Sequence, residues 1–389
     1  MPLTSFTPAD AETMAAMLAV AAAEGIAIVP RGHGTKLQPH AMGTGTTPLS
    51  TAGLSTGLAH YAGDLVATAP AGATLRDVNA VLARERQWIP LDPPHSDTAT
   101  IGGIVACNDS GPHRQRFGAP RDLIIGIEVA LTNGKVVHSG GRVVKNVAGY
   151  DLSRLFCGSR GSLGVITAVT FKLAPVAPAS RTLVAHFADT AHAVDAALRI
   201  GATASLTPSA LELVAPEPRV LVRFETTPRS IEHMAATTRA MLVDAGGQVS
   251  ECDADEESSV WQLHTQRETQ DDGLTLALSV LPSRVTNAVQ HVERLAREHG
   301  VTWTLTGRSA LGVLRVMARA ASEVQAAFIV AVHAAVTSLQ GSMQVLRSDA
   351  GVALSINPAG DVGTAAGVGF AVKRRFDPAG VLPYPWEQA

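Results

Sequence analysis

Cysteine is scarce in this sequence. The 389 residues include three cysteines, Cys107, Cys157 and Cys252. Three are too few for a disulfide framework, and their spacings match no zinc or iron–sulfur pattern. Any chemistry that needs a four-cysteine cluster would therefore have to be supplied by another chain.

Long apolar runs and an excess of positive charge are also lacking. The early run at residues 14–23 is too short to span a bilayer, and Glu24 ends it. Asp10 and Glu12 precede this run where a signal peptide would carry positive charge. The net charge of −3 gives no basic surface for nucleic acid. We expect a cytoplasmic protein, with peripheral association at the inner membrane through partners left open.

The length and the apolar content favour a globular chain of two or three domains. Hydrophobic residues make up 46% of the sequence and charged residues 17%. The stretch "APVAPAS" (174–180), which contains two prolines, predicts a boundary, so we expect domains at 1–176 and 181–389. Short strands and helices alternate beyond the boundary, which indicates an α+β domain on an antiparallel sheet.

Several local patterns in the first domain predict particular elements. The opening helix is expected to be capped by Thr7 and to stop at Gly25. Thr74 is expected to cap the helix at 74–87. Alternating apolar residues at 123–141 around Asn133-Gly134 predict a β-hairpin with a type I′ turn. The acidic stretch at 252–259 is interpreted as a solvated loop.

Three glycine-containing loops could carry chemistry. "RGHGTK" (31–36) follows a strand, and its main-chain N–H groups could form an anion nest or an ordinary turn. "DPPHSDTATIGGIVACNDSG" (92–111) could contact a flat ring, or could be a stiff surface loop. "GSRGSLGVIT" (158–167) suits a bend over a ligand, or a simple helix-to-strand corner. The first loop fits neither a Walker loop nor a Rossmann fingerprint.

The order and spacing of the three loops resemble the FAD-binding domain of the vanillyl-alcohol oxidase/PCMH superfamily. "DPPHSDTATIGG", "GAPRD" and "GGRVVKNVAGYDLSRLFCGSRGSLGVI" are most similar to FAD-binding subunits of glycolate oxidase complexes. The resemblance implies an α+β fold: a PCMH-type FAD-binding domain of two α+β subdomains, followed by an α+β cap domain.

The resemblance also implies which residues bind FAD. The first loop would hold the pyrophosphate, the second would follow the pyrophosphate, ribityl chain and flavin, and the third would complete the adenosine or flavin pocket. These residues are Arg31, Gly32, His33, Gly34, Thr35, Lys36, Asp97, Thr100, Gly102, Gly103, Asn108, Ser110, Gly111, Gly118, Gly158, Gly161, Gly164, Val165 and Ile166.

The mode of FAD binding follows from a departure in the first loop. In the resembling pattern, the histidine that tethers flavin follows the last glycine, where this sequence has Thr35. We therefore expect non-covalent FAD, with His33 near the phosphates. Arg160 and the Leu382-Pro383 pair also depart from the resembling family.

Residues outside the loops add no visible catalytic group. Lys145, Asn146 and Tyr150 could orient substrate, but a helix-start motif before Asp151 explains this stretch more simply. Histidines beyond residue 180 are scattered, and none has metal-like spacing in a glycine-rich loop. We predict no metal site and leave the catalytic residues unassigned.

The resemblance implies an FAD-dependent oxidoreductase that takes part in oxidising a small 2-hydroxy acid, such as glycolate or D-lactate, to the 2-oxo acid. Electrons would pass to partners, namely a second flavoprotein subunit and an iron–sulfur subunit. Two alternatives remain: a free-standing FAD dehydrogenase for another alcohol or hydroxy acid, and a non-catalytic structural or relay flavoprotein subunit.

Overall fold

The computed structural model describes residues 7–37, 45–141, 151–269, 272–349, 352 and 365–383, and these divide into two compact units. Unit 1 holds the described residues of 1–111, 117–176 and 362–388, and unit 2 those of 112–116 and 177–361. The main break between the units follows Val176, and the described part of the C-terminal segment groups with unit 1.

Unit 1 is built on small sheets with short helices. Strands β3, β4, β8, β6 and β7 form an antiparallel sheet in that order, β1 pairs with β2 in parallel, and β5 pairs with β9. Its elements are α1 (Ala11–Glu24), β1 (Ile28–Arg31), β2 (Thr47–Ser50), β3 (Ala59–Tyr61), β4 (Val66–Pro70), α2 (Leu75–Leu82), β5 (Gln87–Trp88), α3 (Ile101–Cys107), α5 (Pro120–Leu123), β6 (Ile124–Ala130), β7 (Val136–Gly140), α6 (Leu152–Phe156), β8 (Val165–Lys172), β9 (Ala174–Pro175) and α12 (Ala365–Phe376).

Local hydrogen bonds decide where the first helices begin. Asp10, and not Thr7, caps α1, because its carboxylate accepts the N–H of Thr13 at 2.7 Å. The predicted Thr7 cap is therefore wrong, whereas the stop at Gly25 is confirmed. Thr74 caps α2 as predicted.

The hairpin of β6 and β7 is confirmed, but its turn is of another type. A type I′ turn needs positive φ at both central residues. Here Gly134 has a φ of 80°, while Asn133 does not lie in that region. The N–H of Gly134 donates to Leu131 O at 3.1 Å, so the connection is a four-residue turn ending in a left-handed glycine.

The C-terminal segment is anchored in unit 1 by a buried ion pair. The Lys373 ammonium donates to the Asp377 carboxylate and to Leu382 O, the latter at 2.6 Å. The same carboxylate accepts the N–H of Leu382 at 2.8 Å. Leu382 is fully buried, and Val381 O accepts the N–H of Ile28 next to β1. Leu382, which stands where the resembling family usually has asparagine, is thus accommodated as a buried apolar residue of unit 1.

Unit 2 is an eight-stranded antiparallel sheet in the order β13, β10, β12, β11, β15, β16, β14 and β17. The predicted antiparallel α+β architecture is confirmed. The short helix α4 (Arg114–Phe117) has residues in both units. The other elements are β10 (Ala179–His186), α7 (Thr190–Ala202), β11 (Ala210–Ala215), β12 (Arg219–Thr226), α8 (Pro228–Asp244), β13 (Gln248–Glu251), α9 (Ala254–Glu268), β14 (Leu274–Ser279), α10 (Val285–His299), β15 (Thr302–Arg308), β16 (Val313–Arg319), α11 (Ser322–Ser338) and β17 (Ser342–Arg347).

The two faces of this sheet differ in character. Helices α7, α8, α10 and α11 cover one face and bury an apolar cluster, while α9 packs on the other. Side chains alternate along β11, so Leu211 and Leu213 join the apolar cluster while Glu212 lies under α9. The predicted loop at 252–259 is wrong, because Asp253 and Glu256 form a capping box that starts α9.

Within the described residues, we find no helix that combines the length and hydropathy needed to cross a bilayer.

The anchoring of the C-terminal segment can be tested with Lys373→Met. Asp377 would then be buried without its cation, which we expect to cost about 3–5 kcal/mol of unfolding free energy. The double variant K373M/D377N should recover part of this loss. Urea unfolding measures both, with exposed Arg374→Met as the matched control. Equal midpoints for K373M and R374M would contradict the anchor.

Candidate functional site

The first loop (residues 31–36) lies directly against the second loop (residues 92–111). A Cβ atom on Gly32 would be 2.3 Å from Thr100 Oγ1, so the contact requires glycine. The His33 ring Nδ1 is 2.8 Å from Thr98 O. The predicted convergence of these two loops is therefore present in unit 1.

Lys36 joins the two loops through its side chain. Its ammonium donates to Pro94 O and to Asp109 Oδ2, both at 2.6 Å, and its side chain is 10% exposed. These contacts compensate the charge of Lys36 within the protein. The cation therefore holds the loops together instead of pointing to solvent.

The end of the second loop and the start of α3 are tightly packed. Thr100 caps α3 by accepting the N–H of Gly103 at 3.3 Å. A Cβ atom on Gly111 would be 1.8 Å from Asp92 O, so Gly111 closes the loop onto its own start. Asn108 ends α3, and its side-chain oxygen accepts the N–H of Arg121 at 3.2 Å.

The third loop (residues 158–167) is fastened to the end of α3 by main-chain bonds. The N–H of Gly158 donates to Val105 O at 3.0 Å, and that of Arg160 to Ala106 O at 2.8 Å. Gly161 has a φ of 79°, and its Cα faces Pro30 of β1. The third loop thus contacts both other parts of the site.

A groove of about 400 Å³, part of it open to solvent, lies where the three loops meet. Five glycines line it, which exposes main chain to any bound molecule. A flat dinucleotide with an anionic diphosphate suits such a lining, so the residues present fit FAD. The lining residues are Pro30, Gly32, Thr51, Gly102, Gly103, Ala106, Arg160, Gly161, Gly164, Val165 and Ile166.

Seven of the predicted residues belong to this lining, and the others do not. Asn108 and Gly111 have the packing roles given above, and Gly118 is backed by the Asp122 carboxylate. No sequence pattern marked Pro30, Thr51 or Ala106 as lining residues. Arg160 was noted as unusual but was not assigned to the site. Lys145, Asn146 and Tyr150 lie outside the described residues, while Asp151 caps α6 as predicted.

The thiols of unit 1 are not activated nucleophiles. Burial raises the pKa of the Cys107 thiol, and it raises the pKa of the Cys157 thiol to about 12. Both groups are protonated at neutral pH, and a thiol attacks only as thiolate. Neither cysteine offers covalent catalysis beside the groove.

Unit 2 contains a fully buried charged cluster under α9, which the sequence analysis missed. Glu212, His264 and Glu268 lie close enough together to hold a metal ion. Arg308, however, is 3.0 Å from Glu212 and 3.2 Å from Glu268. Arg315 is 3.7 Å from Glu268. Two arginines thus balance two carboxylates, so the cluster is better explained as a buried ion network.

The pairing of Arg308 and Arg315 with Glu268 also explains the ionisation of that carboxyl. Burial alone would raise the pKa of Glu268, but the charges of Arg315 and Arg308 outweigh it and lower the pKa. The i, i+4 spacing of His264 and Glu268 on a helix was the available sequence signal.

A second polar cluster of unit 2 surrounds Glu225. His113 Nε2 lies 2.7 Å from its carboxylate, and Arg223 Nε lies 3.4 Å away. Arg223 also stacks over the Trp261 ring at 4.4 Å. Burial would raise the pKa of Glu225, but the His113 hydrogen bond and the Arg223 charge hold the pKa at about 2.

Comparison with known proteins identifies the N-terminal part of the chain. Residues 2–140 match the family model described as FAD binding domain. The chain's fold is shared with chitooligosaccharide oxidase, with a TM-score of 0.71 at 17% identity over 98% of this chain and 90% of that one. The N-terminal part of the chain is therefore similar to an FAD binding domain, in agreement with the resemblance in its sequence.

Three curated relatives match parts of the chain. Glycolate oxidase subunit GlcD of Bacillus subtilis is 32% identical over 57% of this chain and 47% of its own length. Glycolate oxidase subunit GlcE of Escherichia coli is 46% identical over 31% of this chain and 35% of its own. D-lactate dehydrogenase of Archaeoglobus fulgidus is 33% identical over 43% and 38%. Each alignment spans less than half of the relative.

The bridging role of Lys36 predicts a loss of FAD affinity in Lys36→Met. Asp109 would lose its buried ammonium partner, and we expect FAD to bind roughly tenfold more weakly. The double variant K36M/D109N should bind more tightly than K36M alone. Fluorescence titration of the apoprotein measures the affinities, with exposed Lys135→Met as control. If K36M and K135M bind equally well, the bridge has no role in binding.

The low pKa of Glu225 predicts a pH dependence of unit 2. The folded-state pKa of about 2 lies below the ordinary value of 4.5, so the carboxylate stabilises the fold above pH 4.5. That contribution, about 3 kcal/mol, is lost as the pH falls from 4.5 to 2. Glu225→Gln should lack this part of the acid sensitivity. Urea unfolding across the window checks it, with Glu293→Gln as control; identical slopes in wild type and E225Q would contradict it.

Proposed function

We propose that FAD binds non-covalently in the groove of unit 1, and that the groove is the redox site of the protein. The observation that supports this most strongly is the meeting of the three loops around a lining with five glycines. Bound FAD supplies a two-electron acceptor. The protein's own residues supply a shaped, main-chain-rich site that fixes its position.

The surroundings of His33 support non-covalent binding. Its Nδ1 is engaged with Thr98 O, so this nitrogen has a structural role in joining the loops. Thr35 occupies the position at which the resembling pattern places a tethering histidine. The three loops then retain FAD by contacts alone.

The reaction we propose is oxidation of a small 2-hydroxy acid, such as glycolate or D-lactate, to the 2-oxo acid. The relatives with matching segments are subunits named for glycolate oxidase and a D-lactate dehydrogenase. We propose unit 2 as the cap or substrate domain. The oxidation requires a surface that binds the substrate, and the groove lining of unit 1 offers no group that we can assign to substrate binding.

We further propose that the chain acts as a subunit of a glycolate oxidase-type complex with a second flavoprotein and an iron–sulfur subunit. Its three cysteines are too few for a four-cysteine cluster. Reduced FAD would therefore transfer its electrons to a partner subunit. Peripheral membrane association would come through such partners.

The test begins with the visible spectrum of the purified chain. We expect a flavin spectrum, or uptake of added FAD, and release of all flavin to the supernatant on acid precipitation. Under anaerobic conditions, glycolate or D-lactate should bleach the flavin, while acetate, which lacks the 2-hydroxyl group, should not. The bleaching is measured with the chain alone and co-expressed with its partners.

Each result bears on a different part of the proposal. A chain that does not take up FAD overturns the redox assignment, and flavin that stays with the precipitate overturns non-covalent binding. A chain that binds FAD but is bleached by no 2-hydroxy acid in either form overturns the substrate assignment.

A further inference from the structure

We propose that Arg160 binds the diphosphate of FAD and is the cation that fixes the dinucleotide in the groove. This inference rests on the proposed function, because it requires FAD in the groove. Arg160 is not one of the glycines by which the third loop was recognised, so its assignment to the diphosphate is new.

The first argument is the position of Arg160. It lines the groove together with Gly161 and with Gly32 and Gly103 of the other two loops. A guanidinium group offers several N–H donors in a planar fork that matches phosphate oxygens. Arg160 belongs to the same lining as the glycines, whose main-chain N–H groups are also phosphate donors.

The second argument is the backbone of Arg160. Its φ of 54° lies in the left-handed region, which a residue with a long side chain rarely adopts. The bond from its N–H to Ala106 O holds this conformation at the end of α3. Local strain of this kind is retained where it positions a functional group.

The third argument is the charge of the groove lining. Lys36 is bonded to Asp109 and Pro94 and does not belong to the groove lining. The Arg31 guanidinium lies over Gly34 within its own loop, with Nε 3.0 Å from the place of a Cβ on Gly34. Among the residues that line the groove, Arg160 is the one that carries a positive charge.

The test compares wild type with Arg160→Leu, Arg160→Lys and Arg76→Leu. Arg76 is an exposed arginine of unit 1 whose side chain is 61% exposed, so it controls for loss of positive charge. Apoprotein is titrated with FAD and, separately, with ADP, which carries the diphosphate without the flavin. Thermal unfolding of each apoprotein checks folding.

We expect R160L to bind both FAD and ADP roughly 10- to 100-fold more weakly, because a charge-assisted contact to phosphate is lost. R160K should fall between R160L and wild type, since it keeps the charge but not the fork. R76L should match wild type. The midpoint potential of bound FAD should change little, because the diphosphate has the same charge in both redox states.

Other results overturn the inference. R160L that binds FAD and ADP as tightly as R76L removes the role of Arg160. Unchanged ADP binding with a lowered midpoint potential would place Arg160 beside the reduced flavin ring instead. If wild type itself binds neither FAD nor ADP, the proposed function fails, and that result is distinct from a loss confined to R160L.

Discussion

The groove depends on close packing against the main chain of its loops. The end of α3 accepts hydrogen bonds from Gly158 and Arg160, and Gly32 sits where a Cβ atom would collide with Thr100. Side chains at such positions would separate the walls, so glycine permits the approach of the loops and also leaves amide groups accessible. The packing of the loops and the ability to bind a dinucleotide therefore have one physical cause.

In both units, the largely buried cations named above are paired with carboxylates. Lys36 meets Asp109, Lys373 meets Asp377, and Arg308 meets two carboxylates. Such pairs gain little over apolar packing, but the loss of one partner leaves a costly isolated charge. They fix where loops and termini lie. A cation in the sequence is thus a poor guide to ligand binding until its partner is known, as Lys36 illustrates.

Features set by short-range contacts could be predicted from the sequence. Thr74 and Asp151 cap their helices, and the β6–β7 hairpin forms where apolar residues alternate. The three glycine loops were recognised together only through a family resemblance. The parallel pairing of β1 with β2 and the burial of Leu382 depend on contacts between distant segments, which periodicity does not encode. Helix α9 was missed because its charged first turn, a capping box, was interpreted as solvent exposure.

The composition of the groove limits the chemistry that it can perform. Its lining has proline, glycine, threonine, alanine, valine, isoleucine and one arginine, and it contains no carboxylate, imidazole or thiol. The neighbouring thiols Cys107 and Cys157 are held protonated by burial. Such a site can position a redox cofactor but cannot remove a proton from a hydroxy acid. A base for the proposed oxidation would therefore come from outside the groove lining, either from another part of this chain or from a partner subunit.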